Sequence, residues 1–134
     1  MTATLKFIGT IRTPYKTLED CPRNVDPENG PECEVVLDEP YRDGLQGLVP
    51  GQEILVLYWF EGVDRDRVLT VRRRFPDENP RGTFSLRSPH RPNPIAAAEV
   101  VALEIGNGRI VVKGLDCLDG TKLLDIKPAM KPDR

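Results

Sequence analysis

Short apolar bursts separated by prolines and glycines run along the chain, and their spacing predicts strands. Thr4–Arg12 (TLKFIGTIR) partly alternates and is rich in β-forming residues, which predicts a first strand stopped by Thr13-Pro14. Lys16–Glu32 is polar and carries Pro22, Pro27 and Pro31, so it reads as a long loop of the functional or disordered kind. Cys33–Leu37 predicts a short strand, and Tyr41–Leu48 one helical turn ended by Pro50-Gly51. Glu53–Phe60 (EILVLYWF) is apolar on both faces, as in a fully buried central strand. Asp66–Arg74 reads as a strand that turns basic, Phe75–Arg81 as a proline-bounded loop, and Gly82–Arg87 as another short strand. Gly106-Asn107-Gly108 separates Val100–Ile105 from Arg109–Leu115, and Asn-Gly supplies the positive φ angles of a type I′ hairpin turn. Leu123–Ile126 is the last apolar piece. About eight strands with little helix predict an all-β fold: a small closed or nearly closed β-barrel with long loops and at most short helical turns.

Length and composition narrow the classes further. The 134 residues make one domain, 1–134. Leu, Ile, Val and Phe supply roughly 28% of the chain, above the ~20% below which a core is rarely built. The 13 prolines and 11 glycines suit a turn-rich β protein rather than a helical bundle. No apolar run approaches the ~18 residues of a membrane span, and Met1–Thr10 lacks a signal-peptide stretch, so no membrane association and a cytoplasmic location are expected. His90 is the only histidine, which excludes histidine dyads and His-rich metal sites. Cys21, Cys33 and Cys117 show no C-x-x-C spacing, so reduced thiols and no metal are expected. Nor is there a glycine-rich phosphate loop or βαβ alternation, so a nucleotide-like ligand would bind without a Rossmann fold.

Charge is distributed unevenly. The formal net charge is −2, yet Arg65–Arg91 holds eight arginines against Asp66, Asp77 and Glu78, a local balance of +5. Such a segment can meet phosphates or carboxylates, with Arg72, Arg73 and Arg74 the densest group; it can equally be a solvated strand face. Within it, Pro89, Pro92 and Pro94 remove three backbone donors and push Ser88, Arg91 and Asn93 out of helical space. The product is a stiff extended loop bearing Arg87, Arg91 and Asn93, able to grip an anion with little entropy left to lose. A plain barrel crossover with surface arginines gives the same pattern. A second cluster, Asp116-Cys117-Leu118-Asp119-Gly120-Thr121 followed by Asp125-Ile126-Lys127-Pro128, is either an acidic site or an ordinary Asp-Gly turn.

Arg87-Ser88-Pro89-His90-Arg91-Pro92-Asn93-Pro94-Ile95, with Leu115-Asp116, Asp119-Gly120-Thr121 and Asp125-Ile126-Lys127-Pro128 downstream, resembles the TsaA-like (YaeB-like) family, which includes a tRNA methyltransferase. Ile8-Gly9-Thr10-Ile11-Arg12-Thr13-Pro14-Tyr15 and the Trp59 strand are similar to the family pattern as well. The resemblance implies a small β-barrel that binds S-adenosylmethionine at a homodimer interface and N-methylates threonylcarbamoyladenosine beside the tRNA anticodon. It implies that Arg87, Ser88, Arg91, Asn93, Pro94 and Ile95 line the cofactor site facing Asp116, Leu118, Asp119 and Thr121. Arg72, Arg73 and Arg74 would then contact RNA, and Asp119, Asp125 and Lys127 are the candidates for proton removal. The chain departs from the pattern at Leu86, at Ala96-Ala97-Ala98 and at Glu61-Gly62, and it ends at Arg134 without the extension of the longer tRNA-modifying members. Those departures favour two alternatives: a methyltransferase of the same fold acting on a small metabolite, or a non-catalytic S-adenosylmethionine-binding or interaction barrel.

Overall fold

A computed structural model describes residues 1–130. The described residues form nine strands: β1 (Gly9–Arg12), β2 (Glu32–Leu37), β3 (Glu53–Trp59), β4 (Leu69–Thr70), β5 (Arg81–Gly82), β6 (Ile95–Val101), β7 (Glu104–Gly106), β8 (Arg109–Lys113) and β9 (Thr121–Pro128). Among the described residues, helix is confined to 3₁₀ turns at Leu18–Asp20, Glu39–Leu45 and Thr83–Ser85. No helix among the described residues is long and apolar enough to cross a membrane. The chain divides into two compact units, one of residues 1–58 with the chain from Ala97 onward, the other of residues 59–96.

Seven strands make one mainly antiparallel sheet in the order β6-β3-β9-β1-β2-β8-β7. Its registers are set by period-two burial. Ile11 lies opposite Val35 and Val35 opposite Ile110, and all three are fully buried. Ile54, Val56, Val112, Leu115 and Leu123 are among the other core residues, each contributing about 1.5–3 kcal/mol of burial. The edge strands β6 and β7 are separated in sequence only by Ala102 and Leu103. Strand β3 alternates buried and half-buried positions, so its outer face is less enclosed than its apolar run predicts. The predicted hairpin forms at Asn107 (φ 55°) and Gly108 (φ 73°), but the strand expected over Val100–Ile105 breaks at Ala102 into β6 and β7.

Two predicted strands shrink in the second unit. Asp66–Arg74 yields only β4, because Arg72 turns away and pairs with Glu78 through two nitrogens at 2.9 and 2.7 Å. Gly82–Arg87 yields β5 and a 3₁₀ turn, since Thr83 buries its side chain and donates its hydroxyl to the His90 carbonyl at 2.9 Å. The first strand also starts later than predicted, at Gly9, although the Ile8 N–H still donates to the Leu123 carbonyl at 3.0 Å. The long loop after β1 is pinned at Gly114 (φ +82°), where a Cβ would collide with the Asp26 carbonyl oxygen.

Candidate functional site

In the second unit the proline loop is held by side chains reaching into its backbone. Arg91 directs Nη1 to the carbonyls of Leu86 (2.9 Å) and Ser88 (3.1 Å), tying the loop's start to its middle. Its Nε and Nη2 edge has no partner among the described residues. Arg65 supplies a second clamp: Nε donates to the Pro92 carbonyl at 2.8 Å, Nη2 lies 3.5 Å from Asn93 Oδ1, and the guanidinium sits 5.2 Å from the Trp59 ring centre. The Phe60 N–H donates to the Pro94 carbonyl at 3.0 Å, and Pro94 is buried. The loop therefore presents Arg87, Asn93 and Ile95 outward on a fixed backbone, with Ser88 and Arg91 half-buried.

His90 is engaged structurally. Its Nδ1 accepts the Asp64 N–H at 3.0 Å, so in the neutral ring the proton sits on Nε2. Arg65, Thr83 and Asp64 were not singled out by sequence, where Arg65 was one charge among eight and Thr83 one hydroxyl in a presumed strand. No spacing rule marks a side chain that acts by capping a distant carbonyl.

The acidic turn lies in the first unit, where it docks on the end of β1. The Asp119 N–H donates to the Tyr15 carbonyl (2.8 Å) and the Gly120 N–H to the Ile11 carbonyl (2.9 Å). Gly120 adopts φ +88°, which suits glycine and closes the turn. Asp119 accepts the Thr13 N–H on Oδ1 (3.0 Å) and Lys16 Nζ on Oδ2 (2.7 Å). Those two donors, Lys16 first, hold its carboxyl below the usual carboxylate range and keep it an anion. Buried Thr13 donates its hydroxyl to the Cys117 carbonyl at 2.8 Å, and Thr121 donates to the Leu118 carbonyl at 2.6 Å. Asp116 accepts the hydroxyl of buried Tyr58 at 2.7 Å. Burial pushes the Cys117 thiol up to about 12, which leaves no thiolate to act as a nucleophile there.

Asp116, Leu118, Asp119 and Thr121 thus share one turn, as expected, and Thr13, Lys16 and Tyr58 are the partners that sequence reasoning missed. The three candidate bases do not share a centre. Strand β9 begins at Thr121 and carries Asp125 about 13 Å and Lys127 about 20 Å along its axis from that residue. Closeness in sequence misleads here because an extended strand separates what a helix would stack. Of the proposed RNA contacts, Arg72 is committed to Glu78 and lies over the Phe75 ring, 4.4 Å from its centre. Arg73 and Arg74 are exposed.

Comparison with known proteins gives a consistent picture. Residues 10–132 match the family model described as the tRNA-methyltransferase O N-terminal domain. The chain is 45% identical over 126 residues to the "Probable S-adenosyl-L-methionine-binding protein VirR" of Rhizobium radiobacter, covering 94% of this chain and 70% of that one. It is 39% identical over 123 residues to an "S-adenosyl-L-methionine-binding protein" of Archaeoglobus fulgidus, covering 92% of this chain and 86% of that protein. The crystal structure of TrmO from Pseudomonas aeruginosa superposes with a TM-score of 0.77 at 30% identity, covering 97% of this chain. This chain spans 56% of that TrmO.

Proposed function

The chain belongs to the tRNA-methyltransferase O N-terminal domain family, and on that premise we propose that it binds S-adenosylmethionine and transfers its methyl group to a nitrogen of threonylcarbamoyladenosine beside the tRNA anticodon. The observation that carries the cofactor assignment is the braced proline loop. Arg91 fixes that loop with Nη1 and keeps its Nε and Nη2 edge for a carboxylate, the two-pronged contact a methionine head group takes. Asn93 and the neighbouring backbone suit an adenine edge. In the acidic turn, Asp119 stays anionic, a charge that fits ribose hydroxyls or a sulfonium. The residues proposed to contact the cofactor are those named from sequence in the loop and in the turn.

When bound, the cofactor supplies an electrophilic methyl group. The protein's part is to orient that group and hold the acceptor nitrogen in line, from which much of the acceleration follows. Arg73 and Arg74 are proposed to meet RNA phosphates. We also infer that the sheet closes into a barrel: a flat seven-stranded sheet would set its edges about 29 Å apart, while only two residues join β6 to β7. A cytoplasmic homodimer completes the reading, on family resemblance.

A second reading, cofactor binding without transfer, is favoured by the relatives named only as S-adenosyl-L-methionine-binding proteins. The two part in one assay. The protein is incubated with methyl-labelled cofactor and tRNA that carries or lacks the threonylcarbamoyl group. Label entering only the modified tRNA supports transfer; cofactor binding with no label in either tRNA supports the second reading.

A further inference from the structure

The first unit contains a groove of about 660 Å³ at the end of β9 remote from the Asp119 turn. Its wall includes Tyr41, Leu45, Gln46 and Leu48 from one segment and Asp125 and Lys127 from β9. The volume lies within the ~300–1,000 Å³ range of small-molecule sites.

The two charges define its chemistry. Asp125 and Lys127 are two positions apart in one strand, so they leave the same face with Cα atoms about 6.6 Å apart. Among the described residues no ion pair joins them, and none ties Lys127 to another acid. Asp125 accepts the Ile126 N–H on Oδ1 at 2.9 Å, and its other oxygen has no partner among the described residues. Opposite charges held apart beside apolar walls suit a ligand that brings both complements at once. An α-amino acid does so: its nitrogen and carboxyl carbon lie about 2.5 Å apart, and a charge-assisted hydrogen bond of about 2.8 Å at each end bridges the gap.

We propose that this groove binds an α-amino acid with a large flat or aliphatic body. The carboxylate meets Lys127 Nζ, the ammonium meets Asp125, and the body lies against Tyr41, Leu45 and Leu48 with Gln46 at its polar edge. The site is separate from the proposed cofactor residues and does not depend on that reading.

The test uses three probes with the same indole body: L-tryptophan, tryptamine without the carboxylate, and indole-3-propionate without the ammonium. Each is titrated into the ¹⁵N-labelled 134-residue protein, with amide shifts followed at residues 41–48 and 125–127. L-tryptophan is expected to shift those amides, and each analogue to bind about tenfold more weakly. Lys127→Met removes the difference between L-tryptophan and tryptamine, and Asp125→Asn the difference between L-tryptophan and indole-3-propionate. Equal binding of the three probes to the unaltered protein, or no shift at these amides, overturns the proposal. So does discrimination that survives both variants.

Discussion

Thr83 offers the sharpest test of how the proline loop is held. Its side chain is fully buried and its hydroxyl donates to the His90 carbonyl at 2.9 Å. Thr83→Val keeps shape and volume but removes the donor, leaving a half-buried carbonyl without its protein partner at a cost of about 1–3 kcal/mol. The unfolding entropy of a chain of 134 residues, at about 2.1 cal/mol/K per residue, is about 0.28 kcal/mol/K. The loss therefore lowers the melting temperature by about 4–11 °C in a calorimetric scan. Cofactor affinity falls as well, by no more than the same free energy, or about tenfold for each 1.4 kcal/mol. Thr83→Ser keeps the donor and restores most of the affinity while losing some stability through the missing methyl. A Thr83→Val protein that melts and binds like the parent refutes the claim that this hydroxyl holds the loop.

Neutralising Arg73 and Arg74 to glutamine is expected to weaken tRNA binding and to flatten the slope of log affinity against log salt by about one to two; an unchanged slope in a salt series rejects those phosphate contacts. The Asp119 carboxyl is held below its unfolded value by Lys16 and the Thr13 N–H, so its stabilisation is fully present above about pH 4 and is lost as pH falls through the lower folded value. Lys16→Met should narrow the difference in melting temperature between pH 5 and pH 2.5, and an unaltered difference contradicts that pairing. Gly114→Ala combines an unfavourable positive φ with a collision against the Asp26 carbonyl, and a large loss of soluble folded protein is expected, read by circular dichroism of the purified fraction.

Much of the sheet was legible because β2 carries a partly alternating pattern, because the continuous apolar run of β3 marks a strand, and because Asn107-Gly108 encodes its own turn. The second unit was not. Strands β4 and β5 are two residues each, and what orders the segment is specific side-chain bonding: the Arg72–Glu78 pair, the Thr83 hydroxyl and the Arg65 clamp, the last reaching 27 positions along the chain. Local propensity carries no trace of such contacts. The candidate site shows the same division. The loop's stiffness follows directly from its three prolines, and the 116–121 turn from Asp-Gly. That Lys16 and Thr13 would hold Asp119 depends on β1 lying beside β9, a pairing between residues about a hundred positions apart. Asp125 and Lys127 read as part of the same acidic cluster until the strand carried them to its other end.

The most direct measurement is a calorimetric titration of S-adenosylmethionine into the protein and into Arg91→Ala, each checked for folding by its melting curve. Micromolar binding by the parent and its loss in a folded Arg91→Ala variant are the predicted results. A parent that binds nothing, or a folded variant that binds as tightly as the parent, contradicts the assignment of the proline loop as the cofactor cradle.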